Sequence, residues 1–324
     1  CRQSQDVDLL SPTMPMVIDP ICEIECEAIV QAIDVSPDGK WMAWGGEDGT
    51  IRILDMSDSP TQLDPFNVED SVTHVQFARG EVIIVGTHTS DVYGHERLGG
   101  RRWTHAVGGG CDLLDMSDDG TLIACIDGGR HVHVFTENGV KRGRFSSGEL
   151  IGLSVAKDGT GIAVCDDEGN VYVLDSSANL RWKRTPMQED GEVVSAMCFL
   201  HDGSLLLSRE VLGITPSEVA QIALERWSST GEQLYSEEIA SRSVCLIADG
   251  TGALSGHFDG TVTKLSGELE QQNLWKSMYT INDLRRHGDD LLVASWFYLH
   301  RIDAVGEEVW RCEHTGLVES IVSN

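Results

Sequence analysis

The sequence predicts an all-β chain folded as a β-propeller of four-stranded antiparallel blades, seven of them, with eight as the alternative. Three observations predict it. A turn–strand–turn–strand unit recurs along the chain, the recurrences are evenly spaced, and a large aromatic residue closes most units. Ser36 to Ser57, SPDGKWMAWGGEDGTIRILDMS, shows the unit in full: a Pro37-Asp38-Gly39 turn, an apolar strand over Trp41 to Trp44, a second turn at Glu47 to Thr50 and another strand over Ile51 to Leu54. Asp-Gly suits such turns because glycine takes positive φ freely and aspartate bonds the backbone two residues on. The pattern returns at SDDGTLIACIDGGRHVHVF from Ser117, KDGTGIAVCDDEGNVYVLD from Lys157, HDGSLLLS from His201 and ADGTGALSGHFDGTVTKL from Ala248. Degenerate copies stand at Arg79-Gly80-Glu81 and at His287-Gly288-Asp289-Asp290. The spacing is roughly 40 to 45 residues, that of four-stranded propeller blades.

Taken in order, residues 1–27 break the pattern. CRQSQDVDLLSPTMP reads as a polar arm and MVIDPICEIECE as an edge or closure strand. Residues 28–314 read as the propeller, with blades over 28–64, 72–107, 110–146, 148–187, 192–239, 241–278 and 279–314. The fifth carries an insertion near GITPSEVAQ, expected to project from one face. Trp103, Trp182, Trp275 and Trp310 each follow a turn near the end of a blade, with Tyr235 at the comparable place, and packing between neighbouring blades explains them. Residues 315–324, TGLVESIVSN, resemble a first strand, to be compared with GEVVSAMCF at 191–199. They read either as a strand that combines with part of 14–27 to close the ring or as the start of a further blade in a longer protein.

DGTIRILD at 48–55 and EGNVYVLD at 168–175 resemble the third strand of WD40 blades. VLDSSANLRW and RIDAVGEEVW resemble the turn-then-tryptophan pattern of the quinoprotein-like propellers. The resemblance covers about residues 28–314. The Gly-His and Trp-Asp dipeptides of WD40 blades are missing at their places, so it reaches the superfamily and no particular member.

Fifty-two acidic residues against 24 basic ones give a net charge of −28. That argues against nucleic acid, which needs a basic footprint. It suits first a well-solvated surface; the sharper readings are a basic protein partner or adaptation to high salt, and scarce lysine leans toward the second of these. No run of 18 apolar residues occurs, so no transmembrane helix is expected. Nine cysteines show no paired framework. Cys125, Cys165, Cys198 and Cys245 lie in apolar strand patterns as small hydrophobes, which points to reduced thiols and the cytoplasm. Cys1 resembles the first residue of a mature bacterial lipoprotein, and quinoprotein-like propellers include lipid-anchored envelope assembly factors. That gives the alternative placement.

Motifs for chemistry are weak. The acidic turns DMSDDG and CDDEG are explained by turn chemistry and lack the alternating ligands of a calcium loop. His131 and His133 share one strand face, but no metal-ligating partner can be assigned. Gly108-Gly109-Gly110 precedes no helix and no Lys-Ser/Thr, so it is a linker between blades and no phosphate loop. No Gly-x-Ser-x-Gly nucleophile motif and no Cys-Cys dipeptide occur, so neither a catalytic residue nor a cofactor is expected. The residues that start each innermost strand should line the mouth of the central channel: Gln31, His74, Asp112, Glu149, Glu192, Arg242, Asp283 and Glu319. The set is mostly acidic and predicts a docking mouth for a protein partner with a basic segment. The expectation is a non-catalytic interaction scaffold. The rival readings are the lipid-anchored assembly protein and a binder or enzyme using the channel.

Overall fold

The turns form as their residues require. Gly39 takes a φ of 69°. Asp38 Oδ1 accepts from Ser36 Oγ at 2.7 Å and from Lys40 N at 3.2 Å, while Ser36 Oγ accepts from Trp41 N at 2.9 Å. Ser117, Asp119 and Leu122 repeat that clasp two blades later.

The structure is a computed structural model of the chain and describes residues 15–20, 23–57, 59–128, 130–187, 191–211 and 221–323. Its blades are seven antiparallel sheets, each built from four consecutive strands. Blade 1 is Val30–Val35, Trp41–Gly46, Thr50–Asp55 and Thr61–Gln62, with Phe66–Asn67 also paired to its third strand. Blade 2 is Val72–Ala78, Val82–Thr87, Asp91–Glu96 and Arg101–Ala106. Blade 3 is Cys111–Met116, Ile123–Asp127, His131–Phe135 and Lys141–Ser146. Blade 4 is Leu150–Val155, Gly161–Asp166, Val171–Asp175 and Leu180–Arg184. Blade 5 is Glu192–Phe199, Leu205–Val211, Gln221–Trp227 and Gln233–Glu238. The insertion expected there lies at 212–220, outside the described residues. Blade 6 is Ser243–Asp249, Gly252–His257, Thr261–Leu265 and Gln271–Lys276. Blade 7 is Ile281–His287, Asp290–Ser295, Tyr298–Ile302 and Glu308–Glu313. The first strand of each blade lies innermost, and from blade 1 to blade 7 each stands against the first strand of the blade that follows.

The core is divided among the gaps between blades. Ile51 and Ile53 of blade 1 meet Val75 and Ile83 of blade 2, and Leu254 of blade 6 meets Leu284 and Val293 of blade 7. Comparable clusters fill the four gaps between. At the rim, the outer-strand tryptophans reach the next blade: Trp103 Nε1 donates to Glu137 O at 2.9 Å and Trp182 Nε1 to Ser229 O at 3.1 Å. Trp103 needs the bare backbone of Gly94 and Gly139, where a Cβ would come within 2.3 and 2.5 Å of its indole.

Buried carboxylates tie the innermost strands together. Asp34 Oδ2 accepts from Phe77 N and Asp115 Oδ2 from Val155 N, both at 2.7 Å, each reaching from one blade to the next. Asp283 Oδ2 of blade 7 accepts from Ile321 N at 2.9 Å. The C-terminal residues therefore hold the place of the next innermost strand, although they form no ladder themselves. The N-terminal segment lands on the same blade at its other edge, where Met16–Val17 pairs in parallel with Trp310 and Arg311. Among the described residues the two terminal segments do not pair with each other.

A second tie is ionic. The buried Arg184, on the outer strand of blade 4, forks onto Glu225 of blade 5 with two bonds of 3.1 Å and also reaches Glu192. Arg209 binds Glu225 from the other side. Burial alone would raise the Glu225 carboxyl, but the two guanidiniums outweigh it and hold it below its ordinary range.

Two outcomes follow from these ties. Replacing Asp115 with alanine strips the bonds to Val155 N and Met116 N and should cost about 2–4 kcal/mol in urea denaturation. Burial pushes Asp115 up to about 6 from an ordinary 3.8, so its contribution is full below pH 4 and is lost as pH rises through 6. The penalty should accordingly be larger near pH 4 than near pH 7, and a penalty that grows with pH would contradict the assignment. Glu225→Gln leaves two buried guanidiniums facing one carboxylate and should cost about 3–5 kcal/mol. Adding Arg209→Met restores neutrality and should return part of that loss.

Candidate docking surface

The loops that lead into the innermost strands and the turns between second and third strands lie at one end of the blades, here called the upper face. Its short turns are mostly small and polar, as in Glu47-Asp48-Gly49 and Asp167-Glu168-Gly169. Blade 7 departs from this with Ser295-Trp296-Phe297-Tyr298. Trp296 is forced into a left-handed conformation with a φ of 55°, a strain of roughly 1–2 kcal/mol for a residue with a side chain. Its neighbours hold it there: Val318 N donates to Trp296 O at 2.7 Å and His314 N to Phe297 O at 2.8 Å.

The indole of Trp296 stacks on Tyr279 at 5.8 Å between centroids, and Tyr279 stacks in turn on Tyr298 at 6.0 Å. Tyr279 belongs to the linker between blades 6 and 7, next to Met278, which is 92% exposed. Thr280 Oγ1 of that linker donates to Phe258 O at 2.8 Å, which brings in the half-exposed Phe258 ring of blade 6. Arg242 lies over that ring at 4.7 Å. Leu317, next in sequence to the Val318 that holds Trp296, is also exposed. Such an apolar surface would ordinarily be buried, and Trp, Tyr, Met and Arg are the residues enriched where proteins dock.

A repeated bulge decides where the expected mouth residues fall. A register shift occurs at Gln31, Thr73, Asp112, Ile151, Ser195, Val244 and Asn282, near the start of each innermost strand. Of the eight residues read from the sequence, Gln31 and Asp112 occupy that position, and both are exposed. Gln31, His74 and Glu319 come together around a cavity of about 470 Å³ between the innermost strands of blades 1 and 2 and the C-terminal residues. Burial pushes the His74 imidazole down to about 4, so it stays neutral. Glu149 and Arg242 are exposed just ahead of their strands.

Glu192 and Asp283 do not present to solvent. Blade 5 starts its innermost strand earlier, so Glu192 stands three residues before the Ser195 bulge and is buried against Arg184. Asp283 follows its bulge by one residue, which turns the side chain to the other face and into the clasp with Ile321. One acid, Asp112, is left among the bulge positions. Missed from sequence were Phe258, Met278, Tyr279 and Trp296. The available signal was the consecutive Trp296-Phe297 pair in a turn where blades 1, 4 and 6 place Asp and Gly.

No group of three or more metal-ligating side chains occurs among the described residues, and no helix is long and apolar enough to cross a membrane. His131 Nδ1 and His133 Nε2 both approach Asp127, at 2.8 and 2.6 Å, a partner for the two rings that the sequence left unassigned.

The WD domain, G-beta repeat family matches residues 19–55, most of blade 1. No curated protein sequence matches the chain significantly. Among solved structures, Sqt1 of Saccharomyces cerevisiae is similar with a TM-score of 0.74 at 12% identity, over 92% of this chain and 90% of that one. The C-terminal WD40 domain of Sif2 gives 0.72 at 16%, over 93% and 90%. BamB from Moraxella catarrhalis gives 0.66 at 16%, over 91% and 92%. At such identities the likeness is one of fold. The chain is a seven-bladed β-propeller, similar in fold to WD40 domains and to BamB, with a WD repeat matched over part of its first blade.

Proposed function

We propose that the chain is a non-catalytic interaction scaffold that docks a protein partner on its upper face, over blades 6 and 7. WD40 propellers are commonly interaction scaffolds, and the Trp296–Tyr279 stack is the observation that carries the choice of place. A strained, half-exposed tryptophan held by its surroundings is the form in which a docking anchor is kept ready, because a rigid anchor loses little entropy on binding. The partner that fits is a segment with an aliphatic or aromatic side chain beside basic residues. The aromatic row would take the first, and exposed acids of the same face, Glu47, Glu69, Asp112, Glu149, Asp167 and Glu319, would attract the second.

The compartment that suits this reading is a reducing one. Cys111, Cys125, Cys165, Cys198 and Cys312 are buried and unpaired, and burial pushes the Cys165 and Cys198 thiols up to about 12, which makes them inert. The lipid-anchor reading rests on Cys1, outside the described residues, and the intact mass of the native protein distinguishes the two.

The test compares partners captured by the wild-type chain, by Trp296→Ala, by Met278→Glu, and by Val305→Glu on the opposite face, where Val305 is 78% exposed. Stoichiometric partners should be lost from the first two variants, retained by the third and weakened by salt. Equal capture by all four would remove the aromatic row from consideration. Trp296→Gly should abolish docking yet leave thermal stability nearly unchanged, since relief of the left-handed strain offsets about 1 kcal/mol of lost stacking.

A further inference from the structure

The outer edges of blades 2 and 3 enclose a groove whose charge opposes that of the rest of the chain. Its volume is about 640 Å³. One wall is the outermost strand of blade 3, Lys141–Ser146, paired so that Arg144 lies opposite His133 and Lys141 opposite Phe135. Phe135 packs edge-on against Trp103 of blade 2 at 5.3 Å, so this row of side chains looks toward blade 2. Arg142 joins it at the bulge. The facing wall carries His105, whose Nε2 lies 2.7 Å from Gly139 O.

The single acid in the groove is already occupied. Asp127 is 2% exposed, with one oxygen on His131 and the other on His133. Lys141, Arg142 and Arg144 enter no ion pair among the described residues. In a chain with 52 acidic and 24 basic residues, three neighbouring cations around one groove make a locally positive patch on an otherwise acidic surface. Burial leaves the His133 and His105 imidazoles below their ordinary values, so the groove holds them as neutral hydrogen-bonding groups beside permanent charges.

We propose that this groove is a second binding site, specific for a phosphate monoester. Three fixed positive charges exceed what one carboxylate neutralises and match a dianion. Two guanidiniums supply the forked donors that phosphate oxygens accept in pairs, with the Lys141 ammonium beside them, while the imidazoles, whose N–H groups are engaged by Asp127 and Gly139 O, line the groove as reporters of occupancy. The monoester could belong to a phosphorylated side chain of a protein or to a small organophosphate, and the groove meets the same chemistry in both. The site lies on the rim between blades 2 and 3, away from the aromatic row over blades 6 and 7, and does not depend on it.

The experiment titrates the full chain with inorganic phosphate, with a phosphoserine peptide and with the same peptide unphosphorylated, following imidazole resonances by NMR and affinity by calorimetry. Saturable shifts confined to His105, His131 and His133 are expected. Arg142→Glu with Arg144→Glu should weaken binding at least tenfold while leaving the melting temperature nearly unchanged, because both side chains are exposed. Trp296→Ala should leave this binding intact, which separates a failure here from a failure of the docking surface. A phosphopeptide that binds tenfold tighter than inorganic phosphate indicates a phosphorylated protein, and equal affinities indicate a small phosphate compound. The proposal is overturned if none of the ligands shifts the three histidines, if the double variant binds as well as wild type, or if sulfate competes equally, which would mark an adventitious ion only.

Discussion

Each blade is a twisted sheet with two apolar faces, and neither face can be covered by the blade itself. That constraint organises the whole molecule. Ile51 and Ile53 are buried only because blade 2 stands beside them, and Leu254 only because blade 7 does. Six gaps between successive blades are filled this way. The remaining gap, between blades 7 and 1, has to be bridged by something other than a consecutive blade. The C-terminal residues supply it, with Ile321 buried and its amide bound to Asp283. A repeat protein stabilised by nearest-neighbour contacts leaves its terminal units exposed unless they are covered, and here Met16–Val17 and the residues around Ile321 both reach blade 7.

The carboxylate clasps show how polar groups can reinforce such a design at some cost. Asp34 and Asp115 hold backbone amides of the following blade but are desolvated enough to sit near 6. They fix the angle between neighbouring blades more than they add net stability at neutral pH. Arg184 and its partners serve the same end between blades 4 and 5, where opposite charges are balanced within one buried cluster.

The repeat was legible because its turns have chemistry of their own: Asp38 and Ser36 close the first turn by bonds that depend on no distant residue. The tryptophans were legible for a similar reason, since one large ring per unit has few places to go. The mouth residues were not. Their facing depends on a bulge whose position within the strand varies between blades, and a one-residue displacement turns a side chain over. Glu192 reads like Glu149 in sequence, yet one is buried against Arg184 and the other is exposed. The way the ends meet blade 7 was equally hidden, because pairing between residues 16 and 310 leaves no local trace. Trp296 was visible as a letter, but its exposure follows from the left-handed turn and the tail that holds it.

The two candidate surfaces differ in the physics that keeps them available. Over blades 6 and 7 the cost is conformational: Trp296 is strained and half exposed, and bonds from Val318 and His314 prevent the turn from relaxing. At the rim of blades 2 and 3 the cost is electrostatic: like charges on Lys141, Arg142 and Arg144 stand close together, and the one nearby carboxylate is spent on two histidines. Neither arrangement is required to close the ring, since blades 4 and 5 pack without either. A propeller made rigid by its inter-blade gaps tolerates both, and they lie far enough apart in the repeat to be kept or lost independently. A scaffold of this kind could hold an apolar, basic segment on its face and a phosphate on its rim at once, with the strongly acidic remainder of the surface disfavouring anions elsewhere.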